Sequence, residues 1–156
     1  AGVSISEVMP IPLDGGLIIQ LGNSMLFSFI VYVMHGALPA GYDLFLHPIA
    51  WAGWIGFFIT SLNLMPIGQL DGGHVLYSLI GRRQMYIGWF ALTVLAVLAF
   101  IWPGWVLWII ITLLILMVAH PPVMETTPLS PGEKAAGWFC MMVFILTFIP
   151  VPVQLI

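Results

Sequence analysis

Along the chain, apolar residues come in long runs broken by a few polar and turn-forming positions. Residues 1–16 are mixed. Pro10, Pro12 and the Asp14-Gly15-Gly16 turn punctuate them, and Val3, Ile5 and Val8 predict a short strand or irregular lead-in. Residues 17–34 are apolar but interrupted by Gln20, Asn23 and Ser24, and predict an interfacial or membrane helix. A loop over 35–43 precedes an apolar, helical run over 48–62. The stretch 63–70 contains Pro66 and Gly68 and breaks regular helix. Residues 71–80 predict a short helix, stopped by Gly81 with Arg82 and Arg83 beyond it. Pro103-Gly104 between Trp102 and Trp105 predicts a tight turn, so 86–102 and 105–119 form a helical hairpin. A polar, Pro-rich loop over 120–134 leads to a last helix over 135–149, ended by Pro-Val-Pro-Val.

Composition turns this pattern into a class. The 156 residues are 62% hydrophobic and 6% charged, against roughly 25% charged in soluble domains. No Asp, Glu, Lys or Arg occurs between Arg83 and Glu125, a longer interval than the ~20 residues a membrane helix needs. The expected fold class is an all-α, polytopic transmembrane helical bundle with a helix broken at the Leu-Asp-Gly stretch. Its solvent is the lipid bilayer, and its location is an integral, multi-pass place in a bacterial, archaeal or organelle membrane. Arg82, Arg83 and Lys134 then share one face, as the positive-inside rule asks. The seven tryptophans read as interfacial anchors and the nine methionines as lipid-facing or packing residues. A net charge of −3 gives no case for a nucleic-acid partner. Cys140, the single cysteine, excludes a disulfide framework and a cysteine zinc site. The opening "AGVSISEVMPIP" lacks an initiator Met and a signal-peptide pattern, and predicts a piece of a longer protein.

Two similar strings carry carboxylates: "PLDGG" at 12–16 and "QLDGG" at 69–73. Asp71 lies about 11 residues before Arg82, which in helix is roughly 16 Å of depth. An aspartate near mid-membrane is costly and by default a functional candidate. Asp followed by Gly-Gly before a helix is equally an N-cap or turn. From these residues alone both readings of Asp71 stand.

The longer string "NLMPIGQLDGG", with Asn63, Pro66, Leu70, Asp71 and Gly72, resembles the Asn-x-x-Pro-x-x-x-Leu-Asp-Gly signature of site-2 protease-type intramembrane zinc metalloproteases. The resemblance runs through residues 47–83 and on to the "HPP" loop and the last helix, about two-thirds of the chain. It is nearest the bacterial and plastid-type branch. In that family one Zn2+ is held by two histidines of a His-Glu-x-x-His helix and by the aspartate of Leu-Asp-Gly, and the glutamate is the general base for peptide-bond hydrolysis within the membrane. The resemblance therefore implies Asp71 as third zinc ligand, Asn63 as a residue positioning substrate or transition state, and Gly72 as a point of close helix approach. Pro66, Gly73 and His74 are implied supporting residues. Three protein ligands leave zinc one open position, as catalytic sites require. The implied partners are a transmembrane protein substrate and an N-terminal part of the same protease.

This sequence departs from the family in one respect: none of His35, His47, His74 and His120 is followed by Glu, so His-Glu-x-x-His lies outside it. His74 falls three residues after Asp71 on the same helix face, as a structural hydrogen-bonding residue or a substitute ligand. His47 reads as an interfacial helix start, and His35 and His120 as solvated loop neighbours. Asp14 lacks an upstream Asn, position 6 being Ser6, and reads as a turn. Three classes of function follow: intramembrane proteolysis, with this chain alone inactive; a non-catalytic scaffold or regulator keeping the protease fold; and a transporter, which would want an internal repeat that the chain does not show.

Overall fold

The computed structural model describes residues 1–11, 19–116 and 128–155. These form two compact units: Ala1–Thr60 with Leu146–Ile156, and Ser61–Ile145.

The first unit holds the strands. A 3-10 turn at Val3–Ile5 leads into β1 (Glu7–Pro10), and β2 (Ile19–Leu21) precedes α1 (Met25–His35). β3 (Tyr42–Phe45) pairs antiparallel with β1, Glu7 opposite Phe45 and Pro10 opposite Tyr42. β4 (Val153–Leu155) pairs antiparallel with β2, Gln20 opposite Gln154. The polar residues inside the run 17–34 explain why it is not one helix. Ser24 takes the N-cap position of α1, its Oγ accepting the Phe27 N–H at 3.1 Å, and the chain before it is extended. α1 stops at Gly36, whose φ of 74° suits glycine. α2 (Pro48–Asn63) starts with proline at its first position, where the missing N–H is no loss. His47 Nδ1 accepts the Ile49 N–H beside it. The core of this unit is Val3, Phe27, Ala50, Trp54 and Ile149. Trp54 buries its ring there, stacks on Phe58, and donates its indole N–H to Gly22 O at 2.7 Å.

The second unit is helical. It takes in the end of α2, α3 (Asp71–Ile80), a 3-10 turn at Gly81–Arg83, α4 (Gln84–Ala99) and α5 (Gly104–Leu116). It also holds most of α6 (Pro131–Thr147), whose end belongs to the first unit. α4 packs on α5 and on α3. The hairpin turn works because Gly104 has no side chain: a Cβ there would lie 2.1 Å from the Trp102 ring. Trp102 instead meets Trp105 edge-on at 5.5 Å, and Trp105 is fully buried. α6 begins four residues before its predicted start because Ser130 and Glu133 form a capping box. Glu133 Oε2 accepts the Ser130 N–H at 2.7 Å, and the Glu133 N–H donates to Ser130 Oγ.

The expected all-α polytopic transmembrane bundle is therefore corrected. The fold among the described residues is helix-rich, with four strands in two two-stranded sheets. Among the described residues no helix is long and apolar enough to cross a membrane. The reason is helix length. The uncharged interval after Arg83 is divided at residues 100–103, which ends α4 after 16 residues. At about 1.5 Å per residue α4 is roughly 24 Å long, short of a hydrocarbon core of about 30 Å. α6 is longer, at 17 residues, but carries Glu133 and Lys134 in its first turn. No span among the described residues supports the multi-pass reading or the sidedness drawn from Arg82, Arg83 and Lys134. Two tryptophans taken as interfacial anchors, Trp54 and Trp105, are buried, as are Met65 and Met141.

Candidate functional site

The signature residues all lie in the second unit, where α2 ends and α3 begins. Asn63 is the last residue of α2 and is exposed. The chain then runs irregularly through 64–70. Met65, Pro66 and Ile67 are buried. Successive short-range bonds, Ile67 N–H to Met65 O at 2.8 Å and Leu70 N–H to Ile67 O at 3.1 Å, curl the backbone, and Gly68 (φ 49°) completes the turn.

Two glycines set where α3 starts. A Cβ on Gly72 would fall 1.9 Å from Leu64 O, and one on Gly73 would fall 2.3 Å from Gly68 O. Any side chain at either position would collide with backbone, so only glycine lets the first turn of α3 lie against the carbonyls of the irregular segment. On its other side, a Cβ on Gly88 of α4 would meet Pro66 O at 3.4 Å, an ordinary contact, so the break lies against α4 without needing glycine there.

That packing places Asp71. The N-cap of α3 is Leu70, with extended backbone, and Asp71 is the first residue inside the helix. The capping reading of Asp71 does not hold: no side-chain cap bond closes this helix start. Its carboxylate is exposed and makes no hydrogen bond or ion pair among the described residues. A carboxylate in the first turn sits favourably against the positive end of the helix dipole. His74 follows one turn later on the same exposed face, its N–H bonded to Leu70 O, while Gly72, Gly73 and Leu76 form the buried face.

The remaining candidates separate from this group. His35 is half-buried in the first unit, with Nε2 2.7 Å from Val3 O, and is not the solvated loop residue expected. His47 caps α2. Cys140 is half-buried in α6. Asp14 and His120 lie outside the described residues. Among the described residues no three His, Cys, Asp or Glu side chains gather closely enough to hold a metal. A catalytic zinc takes three protein ligands. The described residues therefore do not make a zinc site by themselves.

One polar pair went unread in the sequence. Asp43, on β3, accepts Gln20 Nε2 at 3.1 Å across to β2. The signal available was that Asp43 is the only acidic residue between Asp14 and Asp71.

Comparison with known proteins gives this geometry a family. The sequence model of peptidase family M50 matches residues 23–102, which include α3 and the irregular segment before it. A probable zinc metalloprotease EGY3, chloroplastic, of Oryza sativa subsp. indica is 34% identical over 142 residues, 82% of this chain and 24% of the relative. The probable zinc metallopeptidase EGY3, chloroplastic, of Arabidopsis thaliana is 35% identical over 75 residues, 42% of this chain and 13% of the relative. The probable zinc metalloprotease EGY1, chloroplastic, of the same plant is 27% identical over 110 residues, 68% of this chain and 20% of the relative. Zinc is the metal in each of these names. The chain spans about a quarter of the length of the first of these relatives. No solved structure matches it. With half its length under the family's sequence model, the chain belongs to peptidase family M50.

Proposed function

We propose that this chain is the aspartate-bearing part of a zinc metalloprotease that hydrolyses peptide bonds of membrane-spanning substrates. Asp71 supplies one zinc ligand, and a His-Glu-x-x-His segment of the same protein, outside this chain, supplies the other two and the general base. The observation that carries this reading is the placement of Asp71. Two glycines and a wedged, irregular backbone hold an exposed carboxylate at the first position of α3, and no neighbour among the described residues takes its lone pairs. A carboxylate on a fixed stretch of backbone and unpaired among the described residues is suited to a partner that arrives from elsewhere. The zinc named in the relatives and the family match agree with that partner being a metal.

Asn63, exposed where α2 ends, offers an amide N–H2 to orient a substrate carbonyl. On this reading His74, exposed on the same face as Asp71, is a supporting residue and not a ligand. Association with lipid is supported by the second unit's surface. Phe100 is 92% exposed, Tyr86 73% and Phe90 70%, an apolar display that soluble monomers rarely make. On this reading the chain by itself does not hydrolyse peptides.

The test is cleavage of a membrane-spanning reporter by the full-length protein. Asp71→Ala is expected to abolish it. Asp14→Ala, read as a turn change, should leave it near wild type. Undiminished cleavage by Asp71→Ala would remove the residue from the site. Reporter never cleaved by the wild type, with zinc absent, would favour the scaffold function instead.

A further inference from the structure

The first unit contains a half-open cleft of about 410 Å³ that the site above does not use. Its volume lies in the roughly 300–1,000 Å³ range of ligand sites. Among its lining residues, Leu21, Phe27, Val31, Leu44 and Leu46 belong to or pack on the core, so its floor is backed by fixed structure. Its polar groups are few. Gln20 and Asp43 close one part of it, and Tyr32, Asn23 and Ser28 come from α1 and the segment before it.

The Asp43 carboxylate is held on both oxygens. Oδ1 accepts the Leu44 N–H at 2.8 Å and Oδ2 accepts Gln20 Nε2 at 3.1 Å. Both donors are neutral, so the negative charge is oriented but not balanced. Among the described residues no ion pair balances it, and the unit contains no Lys or Arg. Its acidic residues are Glu7, Asp14 and Asp43, and the only Lys and Arg residues, Arg82, Arg83 and Lys134, all fall in the second unit. An apolar cleft with one rigid, uncompensated carboxylate complements an apolar ligand with one positive charge. The Leu44 N–H is already taken by Asp43, so β3 does not present that group to a docking strand. Recognition here runs through a side chain.

We propose that this cleft binds a Lys or Arg side chain carried by an apolar peptide segment, with Asp43 as its counter-charge. The choice of a peptide rests on the protease reading, for which the cleft would be a specificity site. The guanidinium or ammonium would form charge-assisted hydrogen bonds to the free lone pairs of Asp43, and its alkyl stem would lie along the Leu and Phe floor.

The test is a binding titration on the full-length protein in excess chelator, so that neither zinc nor turnover affects it. The probes are two fluorescent apolar peptides identical except for a central arginine or its neutral isostere, citrulline. Wild type is expected to bind the arginine peptide about tenfold or more tightly, the scale of a charge-assisted hydrogen bond. Asp43→Asn, which keeps the side-chain shape and an acceptor, should bind both alike. Equal affinity of wild type for the two peptides, or binding of neither, overturns the proposal without recourse to any variant. An arginine preference that survives in Asp43→Asn does the same. So does dodecyltrimethylammonium binding at this cleft as tightly as the arginine peptide, which would make it a site for any cationic amphiphile. Failure here with Asp71→Ala still abolishing cleavage sinks the cleft and leaves the protease reading standing.

Discussion

Gly72 and Leu64 are in backbone contact: a Cβ on Gly72 would stand 1.9 Å from the Leu64 carbonyl oxygen and 2.2 Å from its carbon. Neither atom belongs to a side chain that can swing away. Gly72→Ala must therefore push the start of α3 off the irregular segment. Overpacking of this kind costs about 1–3 kcal/mol, and here about 2 kcal/mol or more is expected. Gly73→Ala, against Gly68 O, should behave alike. Gly53→Ala and Gly56→Ala form the contrast. Both positions are exposed within α2 with open space around them, and alanine should stabilise by about 0.5–1 kcal/mol each. Denaturant melts of the four variants measure the difference in sign.

The start of α6 should depend on pH. Two hydrogen bonds to Ser130 hold the Glu133 carboxyl below its ordinary value of 4.5. A depressed folded-state value means that the box is fully formed above the unfolded value and is lost as pH falls through the lower, folded one. Protection of the Glu133 and Lys134 amides, taken relative to the intrinsic exchange rate at each pH, should therefore fall as pH drops below 4.5. Glu133→Gln should flatten that response. Ser130→Ala, which removes the N-cap itself, should cost about 1 kcal/mol at neutral pH.

Trp54 ties α2 to the residue after β2 through its 2.7 Å bond to Gly22 O. Trp54→Phe keeps much of the ring and leaves that carbonyl without its donor, for a loss of about 1–2 kcal/mol. Trp54→Ala also empties the core beside Val3, Phe27 and Ile149, and about 3–5 kcal/mol is expected. Thermal melts showing equal loss in the two variants would mean that the hydrogen bond, not the ring, is what matters.

The helical half of the fold was legible because its punctuation is local. Gly81 with two arginines after it stops α3, Pro103-Gly104 makes the hairpin turn, and Pro66 with Gly68 breaks the chain before Asp71. The strands were not legible. They are three or four residues long, too short to show alternation, and β2 finds its partner β4 from the far end of the chain. Gln20, Asn23 and Ser24 look in the sequence like interruptions of one apolar helix, whereas they mark a strand and the cap that follows it. The membrane bundle was over-read from composition: apolar content says how greasy the chain is, not where its helices end. At the site, the string from Asn63 to His74 marks the break between α2 and α3. That Gly72 and Gly73 face carbonyl oxygens, and that Leu70 rather than Asp71 caps the helix, needed the backbone itself.

If Asp71 is a metal ligand, zinc affinity must depend on its carboxylate. The measurement is competition with a chromophoric chelator, on the full-length protein and its Asp71→Ala and Asp71→Asn variants, each first shown to melt as wild type. Wild type should bind one zinc per chain. Both variants should lose affinity by more than the ~10–100-fold that removal of an outer-shell partner costs, since a direct ligand is gone. Wild-type zinc affinity in a folded Asp71→Ala protein would contradict a ligand role for Asp71.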